Sequence, residues 1–253
     1  MTERTSSVAK TRQERAPFDL YITPHKVALK ICLWLKENTD KLGLRVNYIL
    51  EPSAGHGDFV CAAREVWPEA FIHANEIQER LVPKEEMRQY LLAVAKAKSQ
   101  AKKDKKLADA AIAAVPLPIP SLDTVAVLRG AGASNATMGN FLAVSPVFKF
   151  DLILGNPPYS QGGGAEAHVR HALEMLEPWG ILSQLLKMHF RGAAERMGFW
   201  REFPFKADPP IVARPDFTGD GRDTVEYTNY VWGAPPNTGA NPIHCAPAID
   251  WRE

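Results

Sequence analysis

Ile49-Leu50-Glu51-Pro52-Ser53-Ala54-Gly55-His56-Gly57-Asp58-Phe59-Val60 decides the fold of this chain. A short apolar strand ends at Glu51, and two glycines spaced two apart let the backbone turn tightly and approach a ligand. A helix follows from about Asp58 to Val66. Gly-x-Gly alone carries little information, but between a strand and a helix it fits a nucleotide-binding loop. Residues 70–76, Ala-Phe-Ile-His-Ala-Asn-Glu, form a second apolar strand that again ends in an acid. Glu76 lies 25 positions beyond Glu51, near the spacing at which an acid reaches ribose hydroxyls in nucleotide folds.

A third apolar segment, Asp151-Leu152-Ile153-Leu154-Gly155, delivers Asn156-Pro157-Pro158-Tyr159 at its C-terminal end, where open α/β sheets place their sites. Two consecutive prolines fix the backbone and remove two amide donors, leaving carbonyls positioned to accept protons. The Asn156 amide oxygen and the Pro157 carbonyl suit one planar amino group, and Tyr159 offers a flat face beside them. A rigid turn after a core strand is the plainer reading of Pro-Pro alone.

In this order the segments resemble those of the N6-adenine DNA methyltransferases of the γ arrangement, whose cofactor motifs precede the catalytic one. Glu51, Ala54, Gly55 and Gly57 fall in the part that resembles the family's S-adenosylmethionine loop. Glu76 matches its ribose-binding acid, and Asn156, Pro157, Pro158 and Tyr159 match its catalytic loop. Tyr21-Ile22-Thr23-Pro24 resembles the additional N-terminal motif, whose Thr-Pro caps a helix and contacts the methionine part of the cofactor. Thr23 as N-cap and Pro24 as first helical residue agree with Val27, Ile31, Trp34 and Leu35 at helical spacing. Gly139-Asn140-Phe141-Leu142 resembles the motif in which an Asp binds the cofactor adenine and a Phe packs on it; here Asn140 replaces the Asp, and an Asn oxygen still accepts from an amino group.

The resemblance implies an α/β, Rossmann-like fold with a mostly parallel seven-stranded sheet and an antiparallel closing strand. It implies S-adenosylmethionine as cofactor and transfer of a methyl group to the N6 amino group of adenine in DNA, with base flipping and no metal. Release-factor glutamine and an RNA guanine amino group remain alternative substrates, since similar Asn-Pro-Pro-Tyr loops occur there. A catalytically idle nucleic-acid-binding homologue is the alternative of another class.

The rest of the chain sets the boundaries. With 253 residues, 45% of them hydrophobic, it builds one sizeable α/β core. Residues 1–17 are expected to be disordered, 18–233 to form the methyltransferase domain, and 234–253 to form a tail. Only about twenty residues follow the last strand, so no large recognition domain and only short or weak sequence specificity are expected. Residues 83–120 read as an insertion, helical and Lys/Ala-rich to about 114 and then extended through Pro116, Pro118 and Pro120. Its lysines at 96, 98, 102, 103, 105 and 106 suit either a solvated face or a phosphate backbone.

Net charge is +1, which excludes a globally basic nucleic-acid coat and confines DNA contacts to local patches. Three cysteines lie far apart without metal-ligand spacing, which argues for a reducing, cytoplasmic setting and against zinc. No apolar run is long enough for a membrane span. His56 and His73, single histidines near the cofactor segments, are expected to be bystanders. Residues 124–128 are expected to rejoin the sheet, 165–176 to be helical, 181–186 to be the fifth strand, and 211–213 with 228–232 to close the sheet. The polar loop at 214–224 reads equally as a substrate loop or a hairpin connection.

Overall fold

The computed structural model describes residues 22–101, 104–145, 147–159, 164–192, 194–217, 225–233 and 249–250. Tyr21, Lys102, Lys103, the stretch 160–163, residues 218–224 of the polar loop, the 1–17 segment and most of 234–253 lie outside the described residues.

Helix α1 (His25–Lys41) begins at the Thr-Pro segment and buries Val27, Ile31 and Leu35. Strand β1 (Tyr48–Glu51), helix α2 (Asp58–Val66) and strand β2 (Phe71–Glu76) follow as the sequence pattern requires. Two short strands, β3 (Arg80–Leu81) and β4 (Leu122–Asp123), pair antiparallel and clasp the base of the insertion. Within it, α3 (Lys84–Gln100) and α4 (Lys105–Ala113) pack on each other. Lys96, Lys98 and Lys106 are exposed.

After α5 (Thr124–Gly130) come β5 (Asn135–Met138), β6 (Phe150–Gly155), α6 (Gly164–Glu174), β7 (Leu176–Lys187), α7 (Met197–Glu202), β8 (Ile211–Val212), β9 (Tyr227–Gly233) and β10 (Ile249–Asp250). The main sheet runs β5-β2-β1-β6-β7-β9. Its first five strands are parallel, and β9 is antiparallel to β7. Chain order reverses between β1 and β6, so the crevice beyond their C-terminal ends is a topological switch point, where such sheets bind ligands.

The α1 and α2 face buries Ile49, Ile72, Leu152 and Leu185. The opposite face, under α6 and α7, buries Ile153, Leu182, Leu186, Tyr230 and Trp232. Trp200 and Trp232 stack there with ring centroids 6.3 Å apart. Loops at the switch point therefore rise from a sheet fixed on both faces.

Four expectations change. Among the described residues the main sheet has six strands, not seven. There the outer edge of β9 is met by isolated bridges, Ala207 with Val231 and Pro210 with Thr228, because Pro209 and Pro210 lack the amides a ladder needs. Ile211–Val212 instead pairs with β10 in a separate two-stranded sheet. Residues 124–128 belong to α5, not to the sheet: the Asp123 carboxylate accepts from the Ala126 amide at 2.7 Å, and that cap outweighs the β-branched residues. The sheet position belongs to Asn135–Met138.

Finally, α6 stops at Glu174 and Leu176 already lies in β7. Leu176 pairs with Phe150 and Ile181 with Leu152, so Pro178-Trp179-Gly180 bulges out of the strand rather than ending a helix.

Candidate active site

Residues at the ends of β1, β2, β5 and β6 and in the segments that follow them all face one cleft. The first loop leaves β1 at Glu51 and enters α2 through Gly57. Ser53 N donates to Glu51 Oε1 at 3.0 Å and Gly55 N to Glu76 Oε2 at 2.8 Å. The other Glu76 oxygen accepts from Gln78 N at 3.1 Å. The loop's own amides thus point inward at two carboxylates.

Asn75 ties this loop to the next. Its amide group donates to the carbonyls of Pro52 and Gly139 at 3.2 and 3.0 Å, and its oxygen accepts from the Thr137 hydroxyl at 3.0 Å.

Glu51 and Glu76 are 2% and 4% exposed, and no ion pair to either is present among the described residues. Burial pushes both carboxyls above their ordinary range, Glu51 well above it, with Glu76 adding repulsion on Glu51 and backbone amides pulling both down. Asp58, also at the cleft, is neutralised by Lys84 at 2.7 Å. The floor of the cleft is therefore short of positive charge and rich in acceptors.

The second loop, after β6, is held differently. Asn156 Nδ2 donates to Thr23 Oγ1 at 3.2 Å, and Asn156 Oδ1 accepts from the Tyr159 hydroxyl at 2.6 Å. Both ends of the amide are engaged, which fixes its orientation, and the oxygen keeps a second acceptor site. The Tyr159 hydroxyl also lies 3.2 Å from the Leu185 carbonyl. Gly155 is required because a Cβ there would collide with the Glu51 carboxylate, so the acid of the first loop packs on the start of the second.

These residues enclose one cleft. Of the residues singled out in sequence, Thr23, Glu51, Ala54, Gly55, Glu76, Asn140, Phe141, Asn156, Pro157 and Pro158 line it. Pro24, Gly57 and Tyr159 do not. Pro24 precedes the first helical residue, its carbonyl accepting from Val27 and Ala28, whereas Thr23 makes no side-chain cap and instead accepts from Asn156. Gly57 has φ +80°, and a Cβ there would meet Ala131 at 2.6 Å. At that position the turn and the contact with Ala131, just past α5, leave no room for a side chain.

Tyr159 is half-buried, with the Lys187 ammonium 4.8 Å from its ring centroid. Its contacts make it the support of Asn156, and base stacking would require Lys187 to leave that face. Asn140 accepts from Leu142 N at 3.1 Å, and Phe141 is buried against His168 and His171.

Sequence reasoning missed Ile77, Gln78 and His168, which also line the cleft. Ile77, 56% exposed, directly follows the strand-end acid, and that position was the available signal. His168 sits on α6 with nothing local to mark it. His56 has a structural contact: its Nε2 lies 2.6 Å from the Val82 carbonyl, which makes Nε2 the protonated nitrogen and fastens the first loop to the start of the insertion. Burial holds its pKa below the ordinary value. Its buried Nδ1 has no hydrogen-bond partner among the described residues. His73 bonds Thr137 at 3.0 Å on the sheet surface and lies outside the cleft lining.

This fold is that of the class I S-adenosylmethionine-dependent methyltransferases. A protein of Listeria monocytogenes assigned to that class superposes with a TM-score of 0.54 at 11% identity, over 90% of this chain and 65% of its own. A type I restriction-modification methyltransferase subunit from Streptococcus thermophilus gives 0.52 at 14% identity, over 86% of this chain and 45% of its own. A protein of Pyrococcus horikoshii assigned as an RNA methyltransferase gives 0.50 at 14% identity, over 89% and 94%. The chain thus spans about two thirds and under half of the first two. No family model and no curated sequence matches it.

Proposed function

We propose that the cleft binds S-adenosylmethionine and that the chain transfers its methyl group to the N6 amino group of adenine in DNA. The donor set supports this cofactor. Two buried acids with no ion-pair partner among the described residues, whose ionised forms a cation would favour, suit a ligand that is cationic and carries hydroxyl donors, and Glu76 lines the cleft where it accepts from the Gly55 and Gln78 amides. Exposed Ile77 supplies an apolar surface for a flat ring beside that acid.

When bound, the cofactor supplies a methyl group on a positively charged sulfur, so the chain need not activate a leaving group. What the residues must do is present a nitrogen nucleophile.

The observation that carries the reading is the Asn156 amide, fixed by Thr23 and Tyr159 beside the cleft and followed by two prolines. Its oxygen and the Pro157 carbonyl accept the two hydrogens of an exocyclic amino group. That directs the nitrogen lone pair outward, and the catalysis is positioning and electrostatics. An adenine amino group reaches such a site only after the base leaves the duplex, at a cost of a few kcal/mol.

In this reading residues 18–233 form the methyltransferase domain, with DNA as partner. The fold does not choose the acceptor, since the neighbours include both a restriction-modification subunit and an assigned RNA methyltransferase. Labelled cofactor incubated in parallel with duplex DNA, single-stranded DNA, RNA and release factor, followed by nucleoside analysis, tests the reading. N6-methyladenine in DNA is the expected product. Label confined to protein or to guanine overturns it.

A further inference from the structure

We propose that His25, Cys61 and Glu65 form a binding site for one divalent ion of the zinc class at the junction of α1 and α2. Cys61 and Glu65 are four apart on α2 and share a face, and His25, the first residue of α1, meets them from the neighbouring helix. His25 Nε2 lies 3.0 Å from Glu65 Oε1, and Cys61 Sγ lies 3.7 Å from the same oxygen. The three potential ligand atoms all fall within 4.8 Å of one another.

An ion bonded at about 2.0–2.3 Å to nitrogen, oxygen and sulfur holds tetrahedral ligands roughly 3.3–3.8 Å apart. The 3.0 and 3.7 Å pairs lie near that range, and the remaining pair is within 4.8 Å. A mixed N, S, O set suits zinc or cobalt, whereas magnesium and calcium take oxygen ligands. Three protein ligands leave a fourth position for water. His25 and Glu65 are 38% and 49% exposed, so an ion has a path in.

Binding transfers the Cys61 proton to solvent and leaves a thiolate on the ion. The ion would tie the helix that follows Thr23 to α2, which follows the first loop. The sequence showed none of this, because the ligands are split across residues 25, 61 and 65 with no metal-ligand spacing. The proposal stands independently of the methyl-transfer reading.

The test uses reduced, chelator-stripped full-length protein titrated with Co²⁺ and then with Zn²⁺. One Co²⁺ per chain with a thiolate-to-cobalt charge-transfer band, displaced by Zn²⁺, is expected. Cys61→Ser should abolish the band, while Cys32→Ala and Cys245→Ser should keep it. His25→Ala and Glu65→Ala should each weaken binding more than about tenfold, since loss of even an outer partner costs that much. Thermal unfolding with and without Zn²⁺ covers a Cys61 variant that fails to fold: the upward shift of the wild type should vanish in His25→Ala. A missing band in the wild type, a band that survives Cys61→Ser, or affinity unchanged by His25→Ala overturns the site.

Discussion

The loops after β1 and β6 rise from adjacent parallel strands and meet at one cleft, yet they are stabilised in opposite ways. The first turns its amide donors inward onto Glu51 and Glu76, and what it leaves toward the cleft is acid. The second has prolines in place of two donors and is held through side chains, Asn156 to Thr23 and Tyr159 to Asn156, so it presents acceptors of fixed direction. An acid-lined cradle suits a ligand with positive charge and hydroxyls. A pair of oriented neutral acceptors suits an amino group that must stay unprotonated to attack. In the proposed reading the first loop holds the cofactor and the second aims the nucleophile.

The most severe way to break this division is Asn156→Ala. Loss of one preorganised polar group at a reacting centre typically costs about 10²–10³ in rate. The methyl-transfer rate at saturating cofactor and DNA should fall by that factor, while cofactor affinity by calorimetry stays near wild type. Tyr159→Phe removes only the hydroxyl that orients the amide, worth about 0.5–1.5 kcal/mol, and should cost roughly 2–13-fold in the same rate. Near wild-type turnover by a folded Asn156→Ala protein would make the second loop a structural turn.

The first loop is tested by Glu76→Ala, with a smaller expected effect. Losing hydrogen bonds to a charged acceptor costs about 1–3 kcal/mol, or roughly 5–150-fold in affinity. Calorimetric titration with S-adenosylmethionine should show that loss. Unchanged affinity in a variant with a native melting profile would remove Glu76 from the cofactor site.

Why some of this was legible in sequence and some was not follows from how each feature is encoded. Glu51 and Glu76 end strands, and Gly55 and Asn156 follow strand ends closely, so one local pattern specifies both the backbone and the place at the cleft. Helix α2 was equally plain. Gly57 shows the limit: its position reads from sequence as ligand approach, but the neighbour it makes room for is Ala131, just past α5 and about seventy residues further along. His168, the Asn75 crosslinks and the Lys187 cover on Tyr159 likewise depend on long-range packing that no local pattern carries. Residues 124–128, with β-branched Thr124, Val125 and Val127, suit a strand in sequence, but the Asp123 cap starts a helix there. The sheet's missing seventh strand came down to Pro209 and Pro210, whose lack of amides was there to be read.

The smallest effect expected comes from the contact between the loops, where Glu51 packs on Gly155. Burial raises the folded carboxyl well above 4.5, its ordinary value, so above about pH 4.5 the folded chain holds a proton there that the unfolded chain has lost. Stability from this group is therefore present below the unfolded pKa and declines as pH rises toward the folded value. Glu76 contributes with the same sign. His56, His73 and His168, held below their ordinary 6.5 by burial, act oppositely, losing stability as pH falls under 6.5. The two trends offset each other between about 4.5 and 6.5, and the acids act without the histidines above that. Glu51→Gln keeps an oxygen for the Ser53 amide and removes the titration. Urea midpoints above about pH 6.5 should fall with rising pH in the wild type and fall less in the variant. Identical slopes would show that Glu51 titrates alike in both states, and the acid-lined cradle would then rest on Glu76 alone.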